Sequence, residues 1–379
     1  MNIYVIHKQK LTYIILSVIF AALIIFLLSN SYTLNTSLKQ NVELFLYKLL
    51  PAVFPYIFLT NVLIESGLIY HLSFGLSKVA SKVFHIPKHC CPAVIISLLM
   101  GYPNAAKYID SLYKNNAICP KQAQMLIGFT SNASPAYILT TIGISFYSSI
   151  TLGVILFASH MLSSLILGIL LGIKYKNIIQ QTSNISYTLS KKTKGFEIIS
   201  NSIFGTLKTL GVIFCFMAIF SSISNLICTT LNLSTNVSCV ISSLAEITNG
   251  LSAVAFSTLG ENTKILVTSF ALSFGSFMIL YQIYAVAHTC KVSFSIFLKH
   301  KVLHGTLSAI ITYILIKVLD FKLPTKSVFS NIQNSHFRLN NYFNMFVLSF
   351  ILTCITIVFG IAIKKNGKSS VYSNRHKGG

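Results

Sequence analysis

Residues 90–113 read CCPAVIISLLMGYPNAAKYIDSLY, an apolar stretch long enough to cross a bilayer but broken at mid-length by the polar turn Gly101-Tyr102-Pro103-Asn104. Residues 232–258 have the same design, with Glu246-Ile247-Thr248-Asn249-Gly250 as the turn. Backbone that leaves the helix at membrane depth must be buried in protein or face water, so both stretches are expected to be re-entrant hairpins. Each is followed by a second interrupted apolar segment. In the first, Pro135 lacks an amide hydrogen and disfavours helix at Ser134, just after Thr130-Ser131-Asn132-Ala133. In the second, the interruption is Ser273-Phe274-Gly275-Ser276.

Outside these stretches the chain is still a membrane sequence. Of its 379 residues 54% are hydrophobic and only 9% charged, and apolar runs the length of a spanning helix recur along it. A first run, Leu11 to Leu28, follows Lys8 and Lys10; it lacks a small-x-small cleavage pattern and reads as an uncleaved signal-anchor helix within residues 1–30. Further spans are expected at about 49–69, 125–146, 149–173, 203–223, 265–288, 302–319 and 343–363. The fold class is therefore an all-α polytopic membrane protein of roughly eight transmembrane helices plus two re-entrant hairpins.

Charge sets the orientation, because cytoplasmic loops collect lysine and arginine. With N-in and C-in, the cytoplasmic side receives Lys78, Lys82, Lys88, Lys107, Lys174, Lys191, Lys192, Lys194, Lys291, Lys299, Lys301 and the basic tail 364–379. The outer side receives only Lys39, Lys48, Lys264, Lys317, Lys322, Lys326 and Arg338. If either hairpin were a full crossing, the lysine-rich 174–194 segment or the tail would fall outside. The net charge of +22 is thus explained by segments flanking apolar runs, which leaves no basic domain for nucleic acid.

The order span, hairpin, broken span, span occurs twice, at 49–173 and 203–319, joined by a polar cytoplasmic linker at 174–202. Corresponding elements are offset by about 140 to 155 residues, and the two hairpins enter from opposite sides. This predicts an inverted-topology repeat whose hairpins and breaks meet near the bilayer midplane, where transporters bind their substrates. At each break, half-helix N-termini offer free amides to an anion and C-terminal ends offer carbonyls to a cation.

Ionisable groups inside apolar segments are costly and mark candidate sites. Glu246 has no lysine within a helical turn and is preferred as a site residue over a satisfied structural carboxylate. Lys107 either reaches the site or snorkels to the cytoplasmic interface. Lys208 and Glu65 lie near span ends and read as interfacial. Gln282 either reaches the cavity or bonds an adjacent helix. Tyr102 and Tyr137 could stack on a flat ring. The candidate substrate-binding set is Gly101, Tyr102, Pro103, Asn104, Lys107, Thr130, Ser131, Asn132, Ser134, Pro135, Glu246, Thr248, Asn249, Ser273, Gly275 and Gln282. Gly168 and Gly172 form a GxxxG expected to mean close helix packing.

No GxSxG, HExxH, GxxxxGK[ST] or GxGxxG occurs, and His288, His300 and His304 fall toward the cytoplasmic ends of the expected spans, so an enzyme is the weaker class. The eight cysteines include no CxxC pair; neither a metal nor any other cofactor is expected. The expected partners are a small-molecule substrate and the lipid bilayer, with a homo-oligomer as the preferred assembly.

At these residues the chain resembles the YlbJ-type sporulation integral membrane proteins, which carry a nucleoside-recognition gate domain related to concentrative nucleoside transporters. The matching stretches are Leu50-Pro51-Ala52-Val53-Phe54-Pro55, Gly101 to Lys107, Phe129 to Pro135, and Glu246 to Gly250. The family's last motif is glycine-rich, whereas here it reads Ser273-Phe274-Gly275-Ser276-Phe277. The resemblance implies a protein of the mother-cell membrane around the forespore that exports dipicolinic acid toward the spore. A nucleoside or other small-metabolite symporter is the alternative. Export of a dianion from a cell negative inside gains about 2.3 kcal/mol per charge per 100 mV, so uniport is the expected mode.

Overall fold

A computed structural model describes residues 28–179 and 195–323, with Ser17, Ala21, Ile24 and Ile25 before them. The expected spans at 11–28 and 343–363, most of the linker and the basic tail lie outside the described residues, save for those few positions. The described residues form helices without a strand.

Helix α1, Ser31–Glu65, is wound as a π-helix at Phe45–Leu49. A second helix, α2 (Leu68–Phe84), follows, and then the first hairpin pair, α3 (Cys91–Met100) and α4 (Tyr102–Lys114). The split segment comes next as α5 (Pro120–Thr130) and α6 (Tyr137–Phe146), then the long α7 (Ile150–Ile179). The second half is α8 (Gly195–Thr230), the pair α9 (Thr235–Ala245) and α10 (Ile247–Phe256), the split pair α11 (Glu261–Phe274) and α12 (Ser276–Val286), and α13 (Phe294–Val318). The order long helix, short pair, split pair, long helix recurs, with α2 interposed in the first half alone.

Among the described residues, five helices are long and apolar enough to cross a membrane: Ser31–Glu65, Ile150–Lys176, Gly195–Thr230, Glu261–Val286 and Phe294–Val318. A sixth is counted if Gly75–Phe84 and Lys88–Met100, bent by 104°, are one span. The interruption expected within 125–146 is present: the helix stops at Thr130 and resumes at Pro135, passing into the π-helical α6 at Tyr137, because Pro135 cannot donate to a preceding turn and pushes Ser134 out of the helical region. Two expectations shift in extent. Residues 31–48, read as an outer loop, are helical and continuous with the span after them, and the last described span begins at Phe294 rather than 302.

The packing is that of a protein whose outside is greasier than a soluble surface. Phe204 is 69% exposed and Ile173 60%, while Asn41, Asn132, Ser159, Ser163 and Thr141 are fully buried. Apolar side chains outward and small polar ones inward suit helices that face lipid and hold each other by close approach and hydrogen bonds. The Gly168/Gly172 pair packs as expected: a Cβ on Gly172 would lie 2.4 Å from the Phe84 carbonyl oxygen at the end of α2. Helix α1 packs on α8, and α13 packs on α5, α7 and α11.

Candidate functional site

The hairpin tip at Gly101 ends α3 and starts α4 with φ 80° and ψ 176°, a conformation open to glycine because any Cβ would clash with its own backbone. Pro103 sits in the first turn of α4, where its missing amide hydrogen costs nothing. The second break is made differently: Gly275 caps α11 with φ 91° and ψ 12°, and α12 starts at the next residue.

These turns come together. One cavity is lined by Gly101, Tyr102, Pro103 and Asn104 of the first tip, Ser134 and Tyr137 of the first break, Ile247 and Thr248 of the second tip, and Met278, Ile279 and Gln282 beyond the second break. Leu49, Val53, Tyr56 and Ile57 of α1 and Thr209 and Ile213 of α8 close it. The first turns of four half-helices, α4, α6, α10 and α12, therefore border one space. Each brings amide hydrogens without intrahelical partners and a partial positive charge. Among the described residues, the lining carries no ionised side chain. Both π-helical segments, which often mark functional positions, also reach it, through Leu49 and Tyr137.

Two buried polar atoms on this lining have no hydrogen-bond partner among the described residues: the Tyr137 hydroxyl and the Gln282 side-chain nitrogen. Their side chains are 6% and 4% exposed. An orphaned donor in a buried place is costly unless something else satisfies it, so these two atoms point to a polar ligand.

The remaining candidates take other roles. Glu246 caps α10: its carboxylate accepts from the backbone amides of Thr248 and Asn249 at 2.7 Å each and from Asn249 Nδ2 at 2.8 Å. Asn249 also donates to Asn41 Oδ1 at 2.6 Å, tying the second tip to α1. Lys107 is exposed and donates to Thr209 Oγ1 at 3.1 Å, so it holds a lining residue without lining the cavity itself. Thr130 and Ser131 hydroxyls donate back to Leu126 and Ile127 carbonyls within α5. Asn132 donates to Ser97 Oγ at 2.6 Å and Ser164 Oγ at 2.8 Å, fastening the first break to α3 and α7. Pro135 shapes the break without lining the cavity, and Ser273 and Gly275 shape the second.

Sequence reading missed a group that lies behind the breaks. The charge pattern puts Lys301 on the cytoplasmic side and His304 toward a span end, yet both are fully buried on α13 with His160 of α7 beside them. Lys301 Nζ donates to the Ser131 carbonyl at 2.7 Å. The available signal is a lysine and a histidine seven and four residues short of Ser308, inside a helix that starts two turns before the expected span.

Sporulation integral membrane protein YlbJ of Bacillus subtilis (strain 168) is 21% identical to this chain over 364 residues, which cover 87% of the chain and 89% of that protein. The chain is related to YlbJ. The relationship and the apolar helices agree on a multi-pass integral membrane protein, and YlbJ carries sporulation in its name. No family model and no solved structure matches the chain.

Proposed function

We propose that this protein is a membrane transporter of a small organic anion, and that in a sporulating cell the anion is dipicolinate, moved out of the mother cell toward the forespore. The observation that carries the reading is the convergence of two hairpin tips and two helix breaks on one cavity, with four half-helix N-termini at its edge. Small anions bind well at such ends, and a carrier needs binding that is not too tight to release. The two halves are read as inverted repeats with the cavity near the midplane, N-in and C-in, each hairpin re-entrant. No catalytic role is assigned to any residue.

Only the α10 end is neutralised by a carboxylate, from Glu246. Three ends remain for the two carboxylates of a dipicolinate. Its flat ring would lie against Tyr56, Tyr102 and Tyr137, which are on the lining.

A second reading is favoured by the absence of any ionised side chain on the lining: a neutral, hydroxyl-rich solute such as a nucleoside, bonded by Gln282, Asn104 and Thr248. Flux in proteoliposomes holding the purified protein, with dipicolinate and uridine compared and the potential set by a potassium gradient, separates the two. Potential-driven dipicolinate movement that uridine does not match supports the anion carrier. Uridine flux alone supports the second reading, and flux of neither defeats both.

A further inference from the structure

Behind the cavity, three basic side chains bridge the two helix breaks. Lys301 Nζ lies 2.7 Å from the Ser131 carbonyl and 2.9 Å from His304 Nδ1. His304 Nε2 lies 3.2 Å from the His160 carbonyl, and the two rings are 5.0 Å apart. His160 Nε2 lies 3.0 Å from the Ala133 amide nitrogen, and its Nδ1 lies 2.7 Å from Ser273 Oγ. All three side chains are 0% exposed.

The partners fix where the protons are. An amide can only donate, so His160 Nε2 accepts from Ala133 and the ring proton is on Nδ1, given to Ser273. A carbonyl can only accept, so His304 Nε2 carries its proton and His304 Nδ1 is left to accept from Lys301. Both imidazoles are thus held neutral by their neighbours. One surplus proton fits the group, on the Lys301 to His304 bond, and a second would put two donors nose to nose.

Among the described residues, no hydrogen-bond partner of the group neutralises that proton. Helix α5 ends on the Ser131 carbonyl, α11 contributes Ser273, and α7 contributes His160; no carboxylate is among the hydrogen-bond partners of the three side chains. His300, the next residue back on α13, turns its Nδ1 toward Gly128 on α5. What favours the surplus proton is the negative end of the α5 dipole at Ser131.

We propose that Lys301, His304 and His160 form a binding site for one exchangeable proton, set between the two broken helices and filled in step with an anion in the cavity. The coupling runs through one unwound stretch. Ser131 holds Lys301, Ala133 holds His160, and Ser134 lines the cavity. On the other side His160 holds Ser273, and the preceding Leu272 holds Tyr102, which also lines it. An anion in the cavity stabilises the proton in the group, and by linkage the proton raises the affinity for the anion. A dianion with its proton crosses as a single negative charge, so the mode is proton-linked rather than the uniport that charge alone suggests. This inference rests on the anion-carrier reading of the cavity.

The test is calorimetry of dipicolinate binding to the detergent-solubilised protein in two buffers of different ionisation enthalpy, which reports affinity and proton uptake together. Uptake of about one proton, abolished in Lys301→Met, is the expected result. Binding with no proton uptake in the wild-type protein overturns the proton site and leaves the carrier reading intact; this arm does not need the variant to fold. Absence of dipicolinate binding defeats the carrier reading instead. The group is then judged by its labelled histidine ring nitrogens followed over pH: signals of His160 and His304 that move together while both rings stay neutral, a movement that vanishes in Lys301→Met, support the site, and protonation of either ring on its own overturns it.

Discussion

The Tyr102 hydroxyl donates to the Leu272 carbonyl at 2.5 Å, across 170 positions of sequence, and so bolts the first hairpin tip to the last turn of α11. The bond satisfies a carbonyl that the break at Gly275 would leave without a helical partner. It also fixes the distance between two of the four motifs around the cavity. In Tyr102→Phe the ring stays and the bond goes. The expected stability loss is about 1 kcal/mol, read as a lower melting temperature in detergent, together with slower dipicolinate flux. Unchanged flux would mean that the tip and the second break need not move together.

Gln282 and Tyr137 offer the opposite pattern. Each has a buried polar atom without a partner, so Gln282→Leu and Tyr137→Phe remove a cost rather than a bond. Thermal stability should be unchanged or higher. The half-saturating substrate concentration should rise about fivefold to tenfold for each, the loss of one hydrogen bond of about 1 to 1.4 kcal/mol to the ligand. A fall in stability with unchanged transport would assign both residues to packing.

Among the described residues, Glu246 is the carboxylate that holds one of the helix ends at the cavity, and its hydrogen bonds decide its role. Three donors hold it at the start of α10, so it neutralises that helix end and does not wait for a cation. Glu246→Gln keeps the shape and loses the charge. A stability cost of about 1 to 3 kcal/mol is expected, from bonds that were made to a charged acceptor. Affinity for the dianion should hold or improve, since a fourth positive helix end is then left open. Loss of dipicolinate affinity at full stability would return Glu246 to the ligand.

Much of this site was legible in the sequence because backbone chemistry wrote it. Glycine and proline set the turns at 101–103, 130–135 and 275, and their recurrence in two halves announced that they meet. Legibility failed where side chains chose among neighbours that sequence does not reveal. Asn132 and Glu246 looked like ligands and are fasteners, because Ser97, Ser164 and the α10 amides lie within reach of them. Lys301 looked like an orienting loop lysine because its helix was started at 302, and only the fold shows that Phe294–Val318 carries it inward to Ser131. Asn41 was hidden by a stretch polar enough to pass for loop, yet it meets Asn249.

The glycines of the first tip and the second break should fail unequally, and the difference tests whether the first tip is a fixed wall of the cavity. Gly275 has the left-handed helical conformation that asparagine adopts with little strain, and a Cβ there would meet Tyr102 Cε1 at 3.3 Å, the edge of a ring that can shift. Gly101, at φ 80° and ψ 176°, occupies a region that is essentially closed to other residues, and its Cβ would meet Ser134 Cβ at 3.3 Å on the opposite wall. Gly275→Asn should therefore lose about 1 kcal/mol and transport nearly normally, while Gly101→Ala should lose about 1 to 3 kcal/mol. In Gly101→Ala the tip must also back away from Ser134, which separates the first turns of α4 and α6. Transport should fall by more than its stability explains, measured as flux per folded protein at a temperature well below the melting point of the variant. Equal losses in the two variants, or a Gly101→Ala protein that carries substrate normally once folded, would show that the close approach of the tip to the first break is not part of the binding site.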